Sequence, residues 1–244
     1  MNSQLTNVKY NKKIMRRQLA FLGFMLLALP MLVTGNDADD DFGFRFGLKA
    51  SPNFSWFRTE TRGYSNSGAD LGFAYGLIVD YEFAQNYAIS TGLNILHTGG
   101  TLKYNYLHEG TVTEKRRDHR LRYLEIPATM KLRTAEMGYM TYFGQFGVAL
   151  GFNIYARADD RIDLSDQSSL RFSDVDISDN TRFLRAALVI GAGMEYNLGG
   201  MTSLLGGISF HNGFSNVLDT DNPAVETKPS VQNNYIEITL GVLF

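Results

Sequence analysis

From Phe42 to the carboxy-terminal Phe244, apolar and polar positions alternate with a period of two, the signature of strands whose successive side chains point to opposite faces. The clearest run sets Leu71, Phe73, Tyr75, Leu77, Val79, Tyr81 and Phe83 against Gly72, Ala74, Gly76, Ile78, Asp80 and Glu82. The pattern predicts eight strands: Phe42–Ala50, Leu71–Phe83, Tyr87–Leu102, Arg120–Arg133, Met140–Arg157, Thr181–Leu198, Met201–Phe214 and Tyr235–Phe244. Pro52 is expected to end or kink the first, because proline removes a ladder donor. Polar or charged loops are expected at Phe57–Asp70, Lys103–His119, Ala158–Asn180 and Ser215–Val231. Short turns fall at Ala84–Asn86, Thr134–Tyr139 and Gly199-Gly200, the last a two-residue hairpin signal.

Connections therefore run long, short, long, short, long, short, long, as in an outer-membrane barrel. The predicted fold is all-β, an eight-stranded antiparallel up-and-down transmembrane β-barrel spanning residues 42–244. Period two does not by itself orient a face. In a soluble sandwich or lipocalin the polar face looks outward, and in a membrane barrel it lines the lumen. Here the minority face carries nearly all strand charges together with many Gly and Ala, and small residues suit a crowded interior. The predicted lumen network is Arg45, Lys49, Asp80, Glu82, Glu125, Arg185, Glu195 and Glu237, with Lys131, Arg133 and Arg157 on the same parity. A carboxylate inside must be paired, so Glu125 is expected to meet a cation such as Arg45 or Arg185. Tyr75, Tyr81, Tyr87, Tyr142, Tyr155 and Tyr196 sit mostly near strand ends, where an interfacial girdle belongs.

The amino terminus changes the compartment. Lys9, Lys12, Lys13, Arg16 and Arg17 precede the apolar run Leu19–Val33 and a small-residue site at Val33-Thr34-Gly35. Residues 1–35 thus read as a signal peptide, with Met15 a second candidate start, and 36–41 as a short acidic periplasmic segment. No later stretch is apolar enough to span as a helix, so an exported chain of this kind is soluble or a barrel. The chain has no cysteine, which excludes disulfides, thiolate metal sites and a lipoprotein anchor after the apolar run. A net charge of −2 offers nothing to nucleic acid.

Candidate chemistry is sparse, and no catalytic, cofactor or metal residue is assigned. His211 and Ser215-Asn216 faintly resemble the His and Ser-Asn of outer-membrane lipid A deacylases, but the spacing differs and parity turns His211 to the lumen. Asp174-Val175-Asp176 begins like a calcium loop, yet the required Gly is missing and Arg185 stands where the bidentate Glu should be. Lys115-Arg116-Arg117 is a candidate contact for anionic lipopolysaccharide, and His97, His108 and His119 lack metal-ligand spacing.

Three stretches together resemble the Bacteroidota outer-membrane barrel family that includes PorT. They are Phe42–Ser55, the motif Tyr123-Leu124-Glu125-Ile126-Pro127, and the terminal Leu240–Phe244. The resemblance implies a non-enzymatic accessory or assembly component of type IX protein secretion, which exports proteases and adhesins. It implies other secretion-system proteins as partners, alongside outer-membrane lipid and lipopolysaccharide. Ile236, Ile238, Leu240, Val242 and Phe244 look like the terminal signal read by barrel assembly machinery. A surface adhesin or ligand-binding barrel acting through its long loops is the alternative, with a lipid A-modifying enzyme behind it. Pro127 is expected to mark a bulge or local bend, and an eight-stranded interior is too narrow for a diffusion pore. Both termini are expected in the periplasm.

Overall fold

The computed structural model describes residues 43–108, 111–163, 169–220 and 228–244, so the signal-peptide, acidic-segment and Phe42 readings lie outside the described residues. Ten strands form one antiparallel sheet: β1 (Phe44–Thr59), β2 (Tyr64–Gly68), β3 (Asp70–Ala84), β4 (Tyr87–His108), β5 (Thr111–Arg133), β6 (Met140–Asp163), β7 (Ser169–Asp176), β8 (Leu184–Gly199), β9 (Thr202–Gly213) and β10 (Val231–Leu243). Eight of them, β1, β3, β4, β5, β6, β8, β9 and β10, pair in that order around a closed ring. Closure is made by β10 against β1, from Gly47↔Leu243 to Thr59↔Val231. The last residue is included: the Phe244 N–H donates to the Phe46 carbonyl at 2.8 Å, and the Phe46 N–H donates to the Phe244 carbonyl at 2.9 Å.

Exposure orients the faces. Phe46, Leu48, Leu77, Phe146, Ile190, Ile208 and Leu240 point out of the barrel and are half exposed or more, while Glu125 and Arg185 inside are each 1% exposed. An exposed apolar belt that encircles the whole ring is a lipid face, because water would drive it to aggregate. Tyr81, Phe83, Tyr87, Tyr139, Tyr142 and Tyr196 ring the short-turn end of the belt, and Tyr155, Phe183 and Phe214 border its other end. Several inward glycines have no room for more. A Cβ on Gly193 would press on the Phe143 ring, and one on Gly76 would press on Asn94.

Both prolines behave differently from expectation. β1 continues through Pro52 to Thr59, with Pro52↔Phe73 paired on the β3 side. On the β10 side the pairing steps from Ala50↔Leu240 to Asn53↔Glu237 in unchanged register. Pro127 does the same to β4, where Thr91↔Ala128 is followed by Asn94↔Glu125 with no shift. A missing N–H affects one neighbour only, so each proline omits two rungs of one ladder and leaves the strand straight enough to continue. The bulge near the motif lies instead at Arg122/Tyr123, where β6 inserts an extra residue between Asn153 and Tyr155.

The largest difference concerns the expected loops. Lys103–His108 and Thr111–His119 are the paired upper parts of β4 and β5, in register from Thr101↔Asp118 to His108↔Thr111. Ala158–Asp163 extends β6, and β7 folds back on it. The Phe57–Asp70 region holds the end of β1 and the short β2, which pairs with Tyr104, Lys103, Leu102 and Thr101 of β4. At the long-connection end the barrel therefore rises into an open sheet ordered β2-β4-β5-β6-β7.

Candidate functional site

Within the belt the lumen holds a chain of ion pairs. Arg133 reaches Glu82 at 2.6 Å, and Glu82 reaches Arg45 at 3.5 Å. Arg45 meets Glu195 at 2.7 Å, Glu195 meets Lys131 at 2.5 Å, and Lys131 meets Asp80 at 2.8 Å. Beside this chain Lys49 pairs with Glu237 at 2.5 Å, and Arg185 pairs with Glu125 at 3.1 Å. Five cations (Arg45, Lys49, Lys131, Arg133, Arg185) thus face five carboxylates (Asp80, Glu82, Glu125, Glu195, Glu237). Balance of this kind is what a buried array requires, since an unpaired ion away from water costs several kcal/mol, on the order of 3–5 when one partner is removed. Of the eight residues expected in the network, Arg45, Asp80, Glu82 and Glu195 join Lys131 and Arg133 in one chain, while Lys49–Glu237 and Glu125–Arg185 stand as separate pairs.

Glu125, the centre of the Tyr123–Pro127 motif, takes Arg185 rather than Arg45. It also accepts the Tyr235 hydroxyl at 3.0 Å on both oxygens. Arg185 donates onward to the Asn233 carbonyl at 3.0 Å and lies over the Tyr235 ring. The motif carboxylate thereby ties β5 to β8 and β10 across the lumen. Tyr235 was legible only as the first residue of the last expected strand; the role of its hydroxyl depends on strand closure. Tyr123 is fully buried, Leu124 and Ile126 face the lipid side, and Pro127 lines the lumen. Ile236, Ile238, Leu240, Val242 and Phe244 lie on the outward face of β10 and its end.

His211 is buried in the lumen, 3.1 Å from the Ser209 hydroxyl and stacked on Tyr235. Ser215 instead accepts the Ala186 N–H at 2.7 Å, so the two residues of the deacylase-like pattern have different partners. Phe143 and Lys131 fill the section below, with the ammonium 4.4 Å from the ring centre. A cavity of about 70 Å³ remains among Lys49, Ser209, His211 and Glu237, room for a few waters only.

Above the belt an apolar cluster fills part of the inward face. Phe57, Leu96, Leu102, Leu121, Tyr123, Ala156, Ala158, Ile177, Val217, Leu218, Val231 and Tyr235 form one buried cluster. The 3₁₀ turn Ser178–Asn180 and the segment around Leu218 close over it through the Thr181↔Leu218 bridge. Next to this core, on β4 and β5, lies a second cavity of about 260 Å³ lined by Tyr64, Tyr104, Tyr106, Lys115, Arg117, His119, Ile177, Asn180, Leu218 and Thr220. Behind it Asp160 receives Arg117 through Nε at 2.5 Å and Nη2 at 2.6 Å, and Lys115 at 2.7 Å. Burial works to raise the Asp160 carboxyl, but these hydrogen bonds outweigh it and hold the group below the usual carboxylate range. Burial lowers the Lys115 ammonium despite the same partner. Burial, helped by the Arg117 charge, pushes His119 down to about 3, so it is neutral, with Nδ1 3.2 Å from the Arg117 carbonyl. Burial raises the Tyr104 phenol.

Of Lys115-Arg116-Arg117, only Arg116 projects outward; the other two turn inward onto Asp160. Asp174, the first acid of the calcium-like stretch, is engaged by Arg157 at 2.9 Å and Arg120 at 3.5 Å. Among the described residues no three His, Asp or Glu side chains converge as a metal site. Asp160, Tyr104 and His119 were missed as a cluster because they lie in stretches whose charges occupy both parities.

The sequence model of the outer membrane protein beta-barrel domain family matches residues 37–219, and the chain belongs to that family. No curated protein matches the sequence. Among solved structures, Neisserial surface protein A is similar at 12% identity and a TM-score of 0.42, over 81% of this chain and 95% of that one. OprG from Pseudomonas aeruginosa is similar at 11% identity and a TM-score of 0.38, over 83% and 97%. Ail, the attachment invasion locus protein of Yersinia pestis, is similar at 11% identity and a TM-score of 0.34, over 83% and 99%.

Proposed function

We propose that this member of the outer membrane protein beta-barrel domain family is a non-conducting, non-enzymatic accessory or assembly component of type IX protein secretion. The filled lumen carries this reading. With five ion pairs' worth of side chains and the Phe143 ring inside the ring of strands, cargo must pass elsewhere, and the barrel acts through its surfaces. The secretion role rests on the resemblance carried by the first strand, Tyr123–Pro127 and the terminal stretch. Short turns on the side of both termini support a periplasmic position for the termini and a cell-surface position for the long connections. Lipid and lipopolysaccharide surround the belt, barrel assembly machinery reads Ile236 to Phe244, and other secretion-system proteins are the partners. A clean deletion is expected to abolish extracellular protease activity while leaving the proteases in the periplasm; normal secretion would overturn the role.

The open sheet β2-β4-β5-β6-β7 favours a second reading, a surface ligand-binding barrel, because a paired sheet presents a more rigid surface than a loop. Retained secretion, with surface binding lost on shortening the β6–β7 hairpin, would select it.

A further inference from the structure

We infer that the cavity between β2, β4 and β5 is a binding site for a single sugar unit carrying a carboxylate or phosphate. Two cations, Lys115 and Arg117, share one carboxylate, Asp160, so the cluster retains one positive charge beside the cavity. Arg117 uses Nε and Nη2 on Asp160, and its Nη1 makes no protein hydrogen bond among the described residues. Held in place by that bidentate pair, Nη1 is a pre-oriented donor for an anion. Lys115 likewise spends one of its donors on Asp160.

The remaining walls match a sugar rather than a bare ion. Tyr64 and Tyr104 stack with centroids 4.8 Å apart, and Lys115 stands 4.8 Å over the Tyr106 ring. All three tyrosines line the cavity, and the ring surface that these contacts leave uncovered is apolar wall for the C–H side of a pyranose. At about 260 Å³ the space is small for a drug-sized ligand and ample for one hexose. Lys115, Arg117 and His119 share the inward parity of Glu125, so the cavity lies above the apolar belt and behind β4 and β5, whose outward residues here, Glu114, Arg116, Asp118 and Arg120, are charged. The sugar therefore arrives from the aqueous side, as part of a soluble or exogenous glycan. Naming that side the cell exterior rests on the orientation proposed above; the binding itself does not.

The barrel refolded in detergent micelles would be titrated calorimetrically with galacturonic acid, glucose 1-phosphate, galactose and inorganic phosphate. Both charged sugars are expected to bind at least about tenfold tighter than galactose, which lacks the charge-assisted hydrogen bonds, and than inorganic phosphate, which lacks the ring contacts. Arg117→Gln and Tyr104→Ala should each weaken the charged sugars at least about tenfold, whereas Arg116→Gln, on the outward face, should not. Heat-modifiable gel migration verifies that each variant keeps its barrel. Equal binding of galactose, equal binding of inorganic phosphate, no binding of either charged sugar, or equal losses in the Arg116 and Arg117 variants would each overturn the site. So would block of the cavity by lipopolysaccharide in vesicles, which would assign the ligand to the membrane instead of the aqueous side.

Discussion

The two halves of β5 differ on their outward faces. From Leu124 to Leu132 the outward residues are Leu124, Ile126, Ala128, Met130 and Leu132, while Glu125, Thr129 and Lys131 turn inward. From Glu114 to Tyr123 the outward residues include Glu114, Arg116, Asp118 and Arg120, while Lys115, Arg117, His119, Leu121 and Tyr123 turn inward. Parity along the strand never changes; the solvent does. Lipid outside selects apolar bulk there and confines charge to the lumen, and water outside lets charge stand on the outer face as well. The neighbouring strand makes the change with a bulge, β6 placing both Ile154 and Tyr155 on the outward face at the border.

The comparison can be broken first in the lumen. Lys131→Met leaves Asp80 and Glu195 without their shared ammonium and is expected to lower stability by roughly 3–5 kcal/mol. Urea unfolding in lipid vesicles measures it, and adding Glu195→Gln should recover part of the loss. An unchanged midpoint would mean that the lumen is more hydrated than its burial implies.

Two outward positions of the same strand sharpen the contrast. Ile126→Arg places a charge in the belt and should cost about 2–4 kcal/mol if it lies near the bilayer midplane. Arg116→Leu, ten residues up on the same face, should change stability by less than about 0.5 kcal/mol. Similar costs at the two sites would contradict a lipid boundary between them.

Acid should separate the halves. His119 has a folded pKa of about 3, below its ordinary 6.5, so its contribution is present above pH 6.5 and is lost as pH falls toward 3. Asp160, also depressed, adds a loss in the same direction below the ordinary carboxylate range. Hydrogen exchange at β4 and β5 above the belt should accelerate between pH 6.5 and 4, by at most about tenfold per unit beyond the intrinsic pH effect. Exchange that stays uniform along β5 would show the two halves to be one cooperative unit.

Legibility in the sequence followed the same boundary. Strands such as Leu71–Phe83 could be read because apolar and polar residues occupy separate parities, and the lumen charges were visible as the minority face. Lys103–His119 read as a loop because Glu114, Lys115, Arg116, Arg117 and Asp118 put charge on both parities. Their split into outward charges and an inward cluster on Asp160 exists only once β6 lies alongside. The prolines misled for a local reason: a lost donor is serious for one ladder and irrelevant to the other.

What the sequence determined by itself was the alternation, the strand count of the barrel and the set of charges destined for one face. Which side that face occupies, and which ion meets which, the tertiary structure decided. A period of two is the same pattern read from either side of a sheet. Closure breaks that symmetry, because the narrow interior holds glycine and paired charge, whereas the outward aromatic and aliphatic bulk has space only on the lipid side. Arg45 and Glu195 stand 150 residues apart, and only the curvature of the ring brings them to 2.7 Å.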